Sequence, residues 1–231
     1  MIAGAERDTR QPPLGPPPLG PWLDSLLVDH AFLRLGWHNF EAVSPGRLYR
    51  SNHPTPARLA ALVRRYGIRT VINLRGERPY RGRLSGSNLL SETAAARLGL
   101  THIYAPFESR GAPHRERILR LAGIFRDMEE PALIHCKSGA DRAGLAAGLF
   151  LLLNGADSAA AARQLSWRHL HLRHSPTGVL DAFFRLYAET GEGRIGFLDW
   201  VARDYDEEAL RRRFHAGPLA RFINDRLLSR E

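Results

Sequence analysis

The sequence predicts an α/β fold with a central, mainly parallel sheet flanked by helices and followed by extra C-terminal helices. Short β-branched or apolar runs alternate with amphipathic stretches from about residue 47 to residue 153, the order typical of such a sheet. The 231 residues are 44% hydrophobic, which is enough for the core of one ordinary domain. Charged residues make up 25%, close to the globular average, so wholesale disorder is excluded.

The chain divides into a short arm and one domain. Residues 11–21 read QPPLGPPPLGP, a run in which proline excludes both helix and sheet, so we expect a flexible arm over residues 1–21. Residues 22–231 are expected to form a single domain, with a core at about 46–190 and a helical extension at 191–231. Apolar spacing at residues 22–40 predicts an amphipathic helix followed by a turn.

The first half of the domain has clear start and stop signals. A strand is predicted at residues 47–50, after the turn Ser44-Pro45-Gly46. The helix that follows begins at Thr55, a capping residue type, and ends before Gly67. The run RTVINL at residues 69–74 is typical of a buried strand, and the next helix stops at Gly99.

The second half continues the alternation and then becomes helical. Further strands are predicted at residues 100–104 and 131–135, with helices at 113–130 and 142–153. Because parallel strands end at the same edge of a sheet, we expect the functional site at their carboxyl ends. The remaining predicted elements are helices, at residues 159–167, 179–188, 197–214 and 218–228.

The composition and charge of the chain limit the cellular compartments and the classes of partner that we expect for it. The single cysteine, Cys136, excludes an intrachain disulfide and any multi-cysteine metal site. Residues 1–10 are polar and the longest apolar stretch, at 145–153, is far shorter than a membrane span, so we expect a soluble, cytoplasmic protein. The net charge of +9 favours anionic partners. The basic run at residues 211–213 could contact an acidic membrane surface. The sequence contains no basic motif interleaved with aromatic residues, so we expect no binding of nucleic acid.

The most informative segment is HCKSGADRAG at residues 135–144, between a predicted buried strand and a predicted helix. Backbone amides and the positive end of the helix can converge there on an anion, and both favour the thiolate form of Cys136. Arg142 opens the helix, and its planar guanidinium can bind two phosphate oxygens at once. Gly139 lets the backbone turn with its N–H inward. The residues therefore predict a thiolate nucleophile inside an oxyanion cradle.

This pattern, HC-x2-G-x2-R, resembles the Cys-x5-Arg signature of the cysteine-dependent protein tyrosine and dual-specificity phosphatases. The variant CKSGADR most resembles an atypical bacterial branch with CxxGxDR loops, whose members act on phosphoproteins, phosphoinositides or both. The segments LYRS at residues 48–51 and VINLR at 71–75 also resemble that branch, and the similarity extends over about residues 46–187.

The resemblance implies a mechanism that needs no metal and no cofactor. Cys136 attacks phosphorus to form a cysteinyl-phosphate, while Arg142 and the loop amides hold the remaining oxygens. The loop residues expected to bind substrate are Lys137, Ser138, Gly139 and Ala140. A rhodanese-like sulfurtransferase and a buried structural cysteine stay as alternatives. So does a catalytically weak phosphate-recognition module, because Ala143 stands where the superfamily usually has a serine or threonine hydroxyl.

The leaving oxygen needs a proton, and two carboxyl groups are candidates for the general acid. Asp141 lies inside the loop, where similar phosphatases are thought to use an aspartate. Glu108 follows the predicted strand 100–104, the region that usually supplies an acidic residue. We favour Asp141.

Two basic positions are candidates for substrate selection. Lys137 is the only lysine among 33 basic residues, and its position after Cys136 lets it reach a second phosphate on the substrate. Arg75 opens a basic loop at residues 75–83 that could form a wall for an anionic substrate, although Arg75 could equally pair with an acid near the loop.

The histidine-rich run WRHLHLRH at residues 167–174 has no carboxylate nearby in the sequence and no metal-ligand spacing. We therefore expect no metal site there, and packed or exposed histidines instead.

Overall fold

A computed structural model describes residues 19–27, 38–75, 86–108, 111–173 and 175–215. Five strands form one sheet in the order β1-β2-β5-β3-β4, with β1 antiparallel to β2 and the other neighbours parallel. The strands are β1 (Glu41–Ser44), β2 (Leu48–Ser51), β3 (Thr70–Asn73), β4 (Thr101–Tyr104) and β5 (Ala132–His135). The helices are α1 (Leu19–Leu27), α2 (Pro56–Tyr66), α3 (Gly86–Arg97), α4 (Arg115–Asp127), α5 (Asp141–Leu153), α6 (Ser158–Ala162), α7 (Val179–Thr190), α8 (Phe197–Arg203) and α9 (Glu207–His215).

The predicted fold class is confirmed, and four of the five strands were predicted from the sequence. Strand β1 was missed because it is short and mostly half-buried, so its sequence carries no clear alternation. Helix α1 begins at Leu19, before residue 22, where ordered structure was expected to start; proline is tolerated in a first turn, and Pro21 lies there. Residues 1–18 and the predicted helix at 218–228 lie outside the described residues.

Two predicted helices are shorter in the structure. The stretch 159–167 contains only α6, followed by a 3₁₀ turn at Trp167–His169. The stretch 197–214 is divided into α8 and α9 around Tyr205, which is fully buried and donates its hydroxyl to the Pro113 carbonyl at 2.7 Å. Asp206 then caps α9 by accepting from the amides of Glu208 and Ala209 at 2.9 Å. Tertiary packing and a local cap therefore override a continuous helical pattern.

The central strand β5 is buried on both faces. Alternate residues of the parallel strands point to opposite sides, so Ile134 enters the main core and Leu133 a smaller core under α2. The main core also contains side chains of α8 and α9. Among the described helices, none is long and apolar enough to cross a membrane.

Candidate active site

Cys136 lies directly after β5 and begins the phosphate loop, which we define as residues 136–142. Its side chain is only 2% exposed. The Gly139 N–H donates to Cys136 Sγ at 3.2 Å, so a backbone donor already faces the sulfur. Asp141 and Arg142 form the first turn of α5, and the positive end of this helix therefore lies at the loop. The arrangement stabilises negative charge on and next to the sulfur.

Gly139 is required by both conformation and space. Its φ is +78°, a region that L side chains rarely adopt. A Cβ at this position would lie 2.6 Å from the Asn52 amide nitrogen and 2.8 Å from the Ser51 carbonyl carbon. The end of β2 therefore packs directly against the phosphate loop, and only glycine allows this approach.

Arg50 contacts the backbone of the phosphate loop from the β2 side. It is fully buried on β2 and donates to the carbonyls of Gly139 at 2.6 Å and Ala140 at 3.1 Å. Because the carbonyl and the following N–H of a trans peptide point in opposite directions, the amides of Ala140 and Asp141 face away from Arg50. The first two bonds come from Nη2, and Nη1 donates to the backbone and side-chain oxygens of Gln164, at 2.6 and 2.9 Å.

Burial lowers the pKa of Arg50 to about 10, because desolvation penalises the charged form, while the charges of Cys136, Glu41 and Asp141 act in the opposite direction. The guanidinium is thus charged at neutral pH and adds a buried positive charge beneath the loop.

Arg142 and Arg75 both lie at the carboxyl end of β3. Arg142 Nη1 is 3.4 Å from the Leu74 carbonyl oxygen. Arg75 Nη1 lies 3.3 Å from His53 Nδ1, and the His53 amide donates to the Lys137 carbonyl at 3.3 Å. Arg75 is therefore brought close to the phosphate loop, whereas residues 76–83 of the predicted basic loop lie outside the described residues.

The remaining loop residues take distinct positions. Lys137 and Ser138 are exposed, and Ala140 is buried. Ser138 Oγ accepts from the Ala140 amide at 3.3 Å. Ala143 is fully buried in the core.

Asp141 belongs to a chain of charged side chains that the sequence did not reveal. Its Oδ1 lies 2.7 Å from Nδ1 of His171, and the opposite ring nitrogen lies 2.6 Å from Asp181 Oδ2. Arg173 Nε donates to the other oxygen of Asp181 at 3.0 Å. Burial acts to lower the pKa of His171, but the hydrogen bonds to both carboxylates outweigh it and raise the pKa to about 9. At neutral pH both ring nitrogens are therefore donors.

Glu108 is engaged elsewhere. Its carboxylate is 2.8 Å from Arg117 Nη1 and 3.3 Å from His114 Nε2, at the beginning of α4. The side chain is 16% exposed.

His169 and His171 of the histidine-rich run are packed, one of the two outcomes expected from the sequence. Carboxylates are absent nearby in the sequence, but the fold brings Glu41 to His169, and Asp141 and Asp181 to His171. Both histidines are buried. Asn39 links this run to the phosphate loop, because its Nδ2 donates to the carbonyls of Ser138 and His169, each at 3.0 Å. A positive φ of 46° at Asn39 accompanies this bridge.

Comparison with protein families and with solved structures relates the chain to known proteins. A family model described as the tyrosine phosphatase family matches residues 36–166, more than half of the chain. No curated protein matches the sequence. Among solved structures, TpbA of P. aeruginosa is 20% identical, with 76% of this chain and 90% of that chain covered and a TM-score of 0.46. The core catalytic domain of the PP-IP phosphatase SIW14 of S. cerevisiae is 18% identical, with 77% and 91% covered and a TM-score of 0.44.

The chain therefore belongs to the tyrosine phosphatase family, and the resemblance noted in the sequence is confirmed. It is a cysteine-dependent phosphatase.

Proposed function

We propose that this phosphatase hydrolyses phosphomonoesters through a cysteinyl-phosphate on Cys136. The S–P bond forms as the bond from phosphorus to the leaving oxygen breaks, and water then attacks phosphorus and releases phosphate and thiolate. The observation that carries this proposal is the position of Cys136 between β5 and the first turn of α5, with the Gly139 N–H directed at its sulfur at 3.2 Å. Arg142 and the loop amides bind the equatorial oxygens in the transition state.

Asp141 is the proposed general acid. It neighbours Arg142 in the first turn of α5, and its side chain is 29% exposed, so substrate and water can reach it. Among the described contacts, only Oδ1 is engaged, by His171, and Oδ2 is left for the leaving oxygen. In the second step the carboxylate takes a proton from the attacking water. Glu108 stays the alternative, although its ion pairs direct it toward α4.

The proposed substrates are phosphorylated proteins of the tyrosine or dual-specificity type, or phosphoinositides and inositol phosphates. The exposed Lys137 and the nearby Arg75 favour substrates with a second anionic group. An ammonium group at the rim of the loop can contact a phosphate that the loop itself does not hold.

A phosphate-recognition module with weak turnover is the second candidate, and Ala143 is the observation that favours it. Without a hydroxyl at this position, no side chain there donates to the sulfur as the S–P bond breaks. Capture of phosphate then proceeds while its release is slow.

The test is hydrolysis of an aryl phosphate by the wild-type protein and by Cys136→Ser. We expect sustained wild-type turnover that EDTA leaves unchanged, no turnover by the variant, and retained binding of inorganic phosphate or vanadate by both. Arg142→Lys is expected to lose about 10²-fold in rate, since an ammonium group cannot make the two-pronged contact.

A wild-type protein that releases one equivalent of phenol per active site and then stops would indicate the phosphate-recognition module. Near wild-type turnover by Cys136→Ser would refute the covalent mechanism.

A further inference from the structure

Three large apolar side chains are exposed close together beside the phosphate loop. Trp167 is 78% exposed, Leu170 56% and Leu172 65%. Large apolar side chains that reach this exposure are few in the described parts of the chain, and these three fall within six residues. Such clustering at a surface marks an interaction site more often than scattered single residues do.

The backbone of this segment is anchored, so the exposure is built into the fold. The residues that alternate with the exposed ones, His169 and His171, are buried and point inward. His169 Nε2 lies 2.5 Å from the Glu41 carboxylate, and His171 lies between Asp141 and Asp181. The polar contacts of these two buried histidines therefore fix which side chains of the segment face outward.

The same surface is basic. Arg163, Arg168 and Arg173 are exposed and line, together with Trp167 and Leu172, an open groove of about 1310 Å³. Arg173 is also ion-paired with Asp181 through Nε at 3.0 Å, so most of the available positive charge comes from Arg163 and Arg168. Glu41 is the only acidic residue among the described residues that line it, and its carboxylate is paired with His169. We call the three apolar and three arginine side chains the apolar–basic face.

The apolar–basic face is adjacent to the site of chemistry. The Asn39 side chain donates hydrogen bonds both to the carbonyl of Ser138 in the phosphate loop and to the carbonyl of His169. A surface that occupies this face therefore lies next to the mouth of the phosphate loop.

We propose that the apolar–basic face docks on the surface of an acidic phospholipid bilayer. Tryptophan and leucine side chains enter the interfacial region, and arginines bind anionic headgroups while their stems stay in apolar surroundings. The positive charges of this face complement the anionic headgroups of an acidic bilayer, and its projecting apolar side chains fit the interfacial region below them. The docking proposal depends only on the side chains of the apolar–basic face. That docking gives the active site access to phosphorylated lipid headgroups is a further step, which rests on the proposed function.

The basic run at residues 211–213, considered from the sequence for the same role, is less suited. Arg211 is ion-paired with Glu208 at 2.9 Å. The apolar side chains of α9, Leu210 and Phe214, pack into the core. This helix therefore offers charge without exposed apolar side chains.

The experiment is co-sedimentation of the full chain with vesicles of phosphatidylcholine alone or of phosphatidylcholine with phosphatidylserine. We expect binding to the acidic vesicles, weak binding to the neutral ones, and a decrease with added salt. The double variant Trp167→Ala/Leu172→Ala and the single variant Arg168→Gln should each lower the affinity by about tenfold or more. Aryl phosphate hydrolysis by each variant reports on folding and is expected to stay at the wild-type level.

Matched controls come from α8, where Leu198 is 41% exposed and Arg203 has a 71% exposed side chain. Leu198→Ala and Arg203→Gln should bind acidic vesicles like the wild type. Equal binding by wild type and face variants, or no vesicle binding at all, would overturn the proposal. A wild-type dimer in lipid-free sedimentation that Trp167→Ala dissociates would instead assign the face to a second copy of the chain. Wild-type turnover of the aryl phosphate is measured separately, so a failure of docking is distinct from a failure of the proposed chemistry.

Discussion

At the scale of single residues, the phosphate loop depends on a buried charge and on a missing side chain. Arg50 places a guanidinium beneath the loop, and its two terminal nitrogens donate to four oxygen acceptors, which offset much of the cost of a buried charge. Gly139 lets the loop approach β2 more closely than any residue with a Cβ allows. Together they determine which way the loop amides face, and both act without contact to a substrate.

We expect Gly139→Ala to distort the loop and lower aryl phosphate hydrolysis by about 10²-fold, because small displacements of positioned groups are costly. The new Cβ meets backbone atoms of Asn52 and Ser51 that cannot move aside cheaply. Gly155→Ala is the control: its φ of +85° gives similar backbone strain, but no atom lies within 4 Å of the new Cβ. Similar activity loss in both variants would show that backbone strain alone is responsible.

Asp141→Asn tests the general acid through the leaving group. An alkyl phosphate needs protonation of its poor leaving group, so we expect its hydrolysis to slow by about 10²-fold or more. An activated aryl phosphate, whose phenolate leaves unaided, should slow far less. Glu108→Gln is the comparison, and measurement of both substrates with both variants decides the assignment. The reverse ranking moves the acid to Glu108, and equal slowing of both substrates by Asp141→Asn gives Asp141 a purely structural role.

Lys137→Ala tests substrate selection. We expect the wild-type protein to prefer phosphoinositides or inositol phosphates over isolated phosphoserine peptides. The variant should lose about tenfold in kcat/KM on the multiply charged substrates, the worth of one charged hydrogen bond. Aryl phosphate hydrolysis should change little. Equal losses on both substrate types, or a wild-type preference for phosphotyrosine peptides, would point to an ordinary protein tyrosine phosphatase.

At the scale of elements, His171 joins the first turn of α5 to α7. Its ring lies between Asp141 on α5 and Asp181 on α7, and the histidine side chain is 1% exposed. Arg173 is the further charge in contact, through Asp181. The junction between the two helices is therefore held by a charged network that depends on protonation of one imidazole.

Stability is expected to follow that protonation. The folded-state pKa of His171, about 9, lies above its ordinary value of 6.5, so the unfolded chain binds fewer protons between these values. The contribution of His171 is thus complete below about pH 6.5 and is lost as the pH rises through 9. We expect the free energy of unfolding, measured in urea, to decrease over this range in the wild type and to decrease less in His171→Gln.

His102→Gln is the matched control for this pH dependence. Burial lowers the pKa of His102 to about 4, so its folded and unfolded states differ in protonation mainly below about pH 6.5, and its loss should leave most of the slope above that pH unchanged. An unchanged slope in His171→Gln as well would show that His171 does not carry the pH dependence.

At the scale of the whole molecule, the C-terminal helices share the core of the sheet. Trp200 and Val201 of α8 and the buried Tyr205 belong to the same apolar cluster as Ile134 of β5 and Cys136. Glu207, at the start of α9, accepts from the Arg115 amide at the beginning of α4, at 2.9 Å. These contacts support the proposal of one domain for the described part of residues 22–231, which ends at residue 215.

Trp200→Ala is expected to lower the free energy of unfolding by about 3–5 kcal/mol, because a large, 1% exposed side chain leaves a cavity. If the chain is one domain, urea unfolding of the variant stays a single transition and its midpoint shifts for fluorescence and circular dichroism together. Leu198→Ala, at an exposed position of the same helix, should change stability by no more than about 0.5 kcal/mol. Separate transitions for the two probes would indicate an independent C-terminal unit.

The sequence by itself determined the alternation of strands and helices and the residues proposed for the chemistry of the phosphate loop. Both are local: Cys136, Gly139 and Arg142 lie within seven consecutive residues, and a strand before them and a helix after them suffice to bring them together. The short runs RTVINL and PALIH are rich in β-branched or apolar residues and are too short for a helix, so they favour buried strands.

Only the tertiary structure decided which distant residues support that loop. Arg50 reaches Gly139 across 89 residues, Asn39 reaches Ser138 across 99, and His171 reaches Asp141 across 30. The sequence could not specify these partners, because a buried arginine or histidine bonds to whichever acceptor the packing brings within reach. The distance between two such side chains in the fold cannot be read from their charge or from their spacing along the chain. The chemistry of the loop is therefore local, and its orientation is a property of the packed fold.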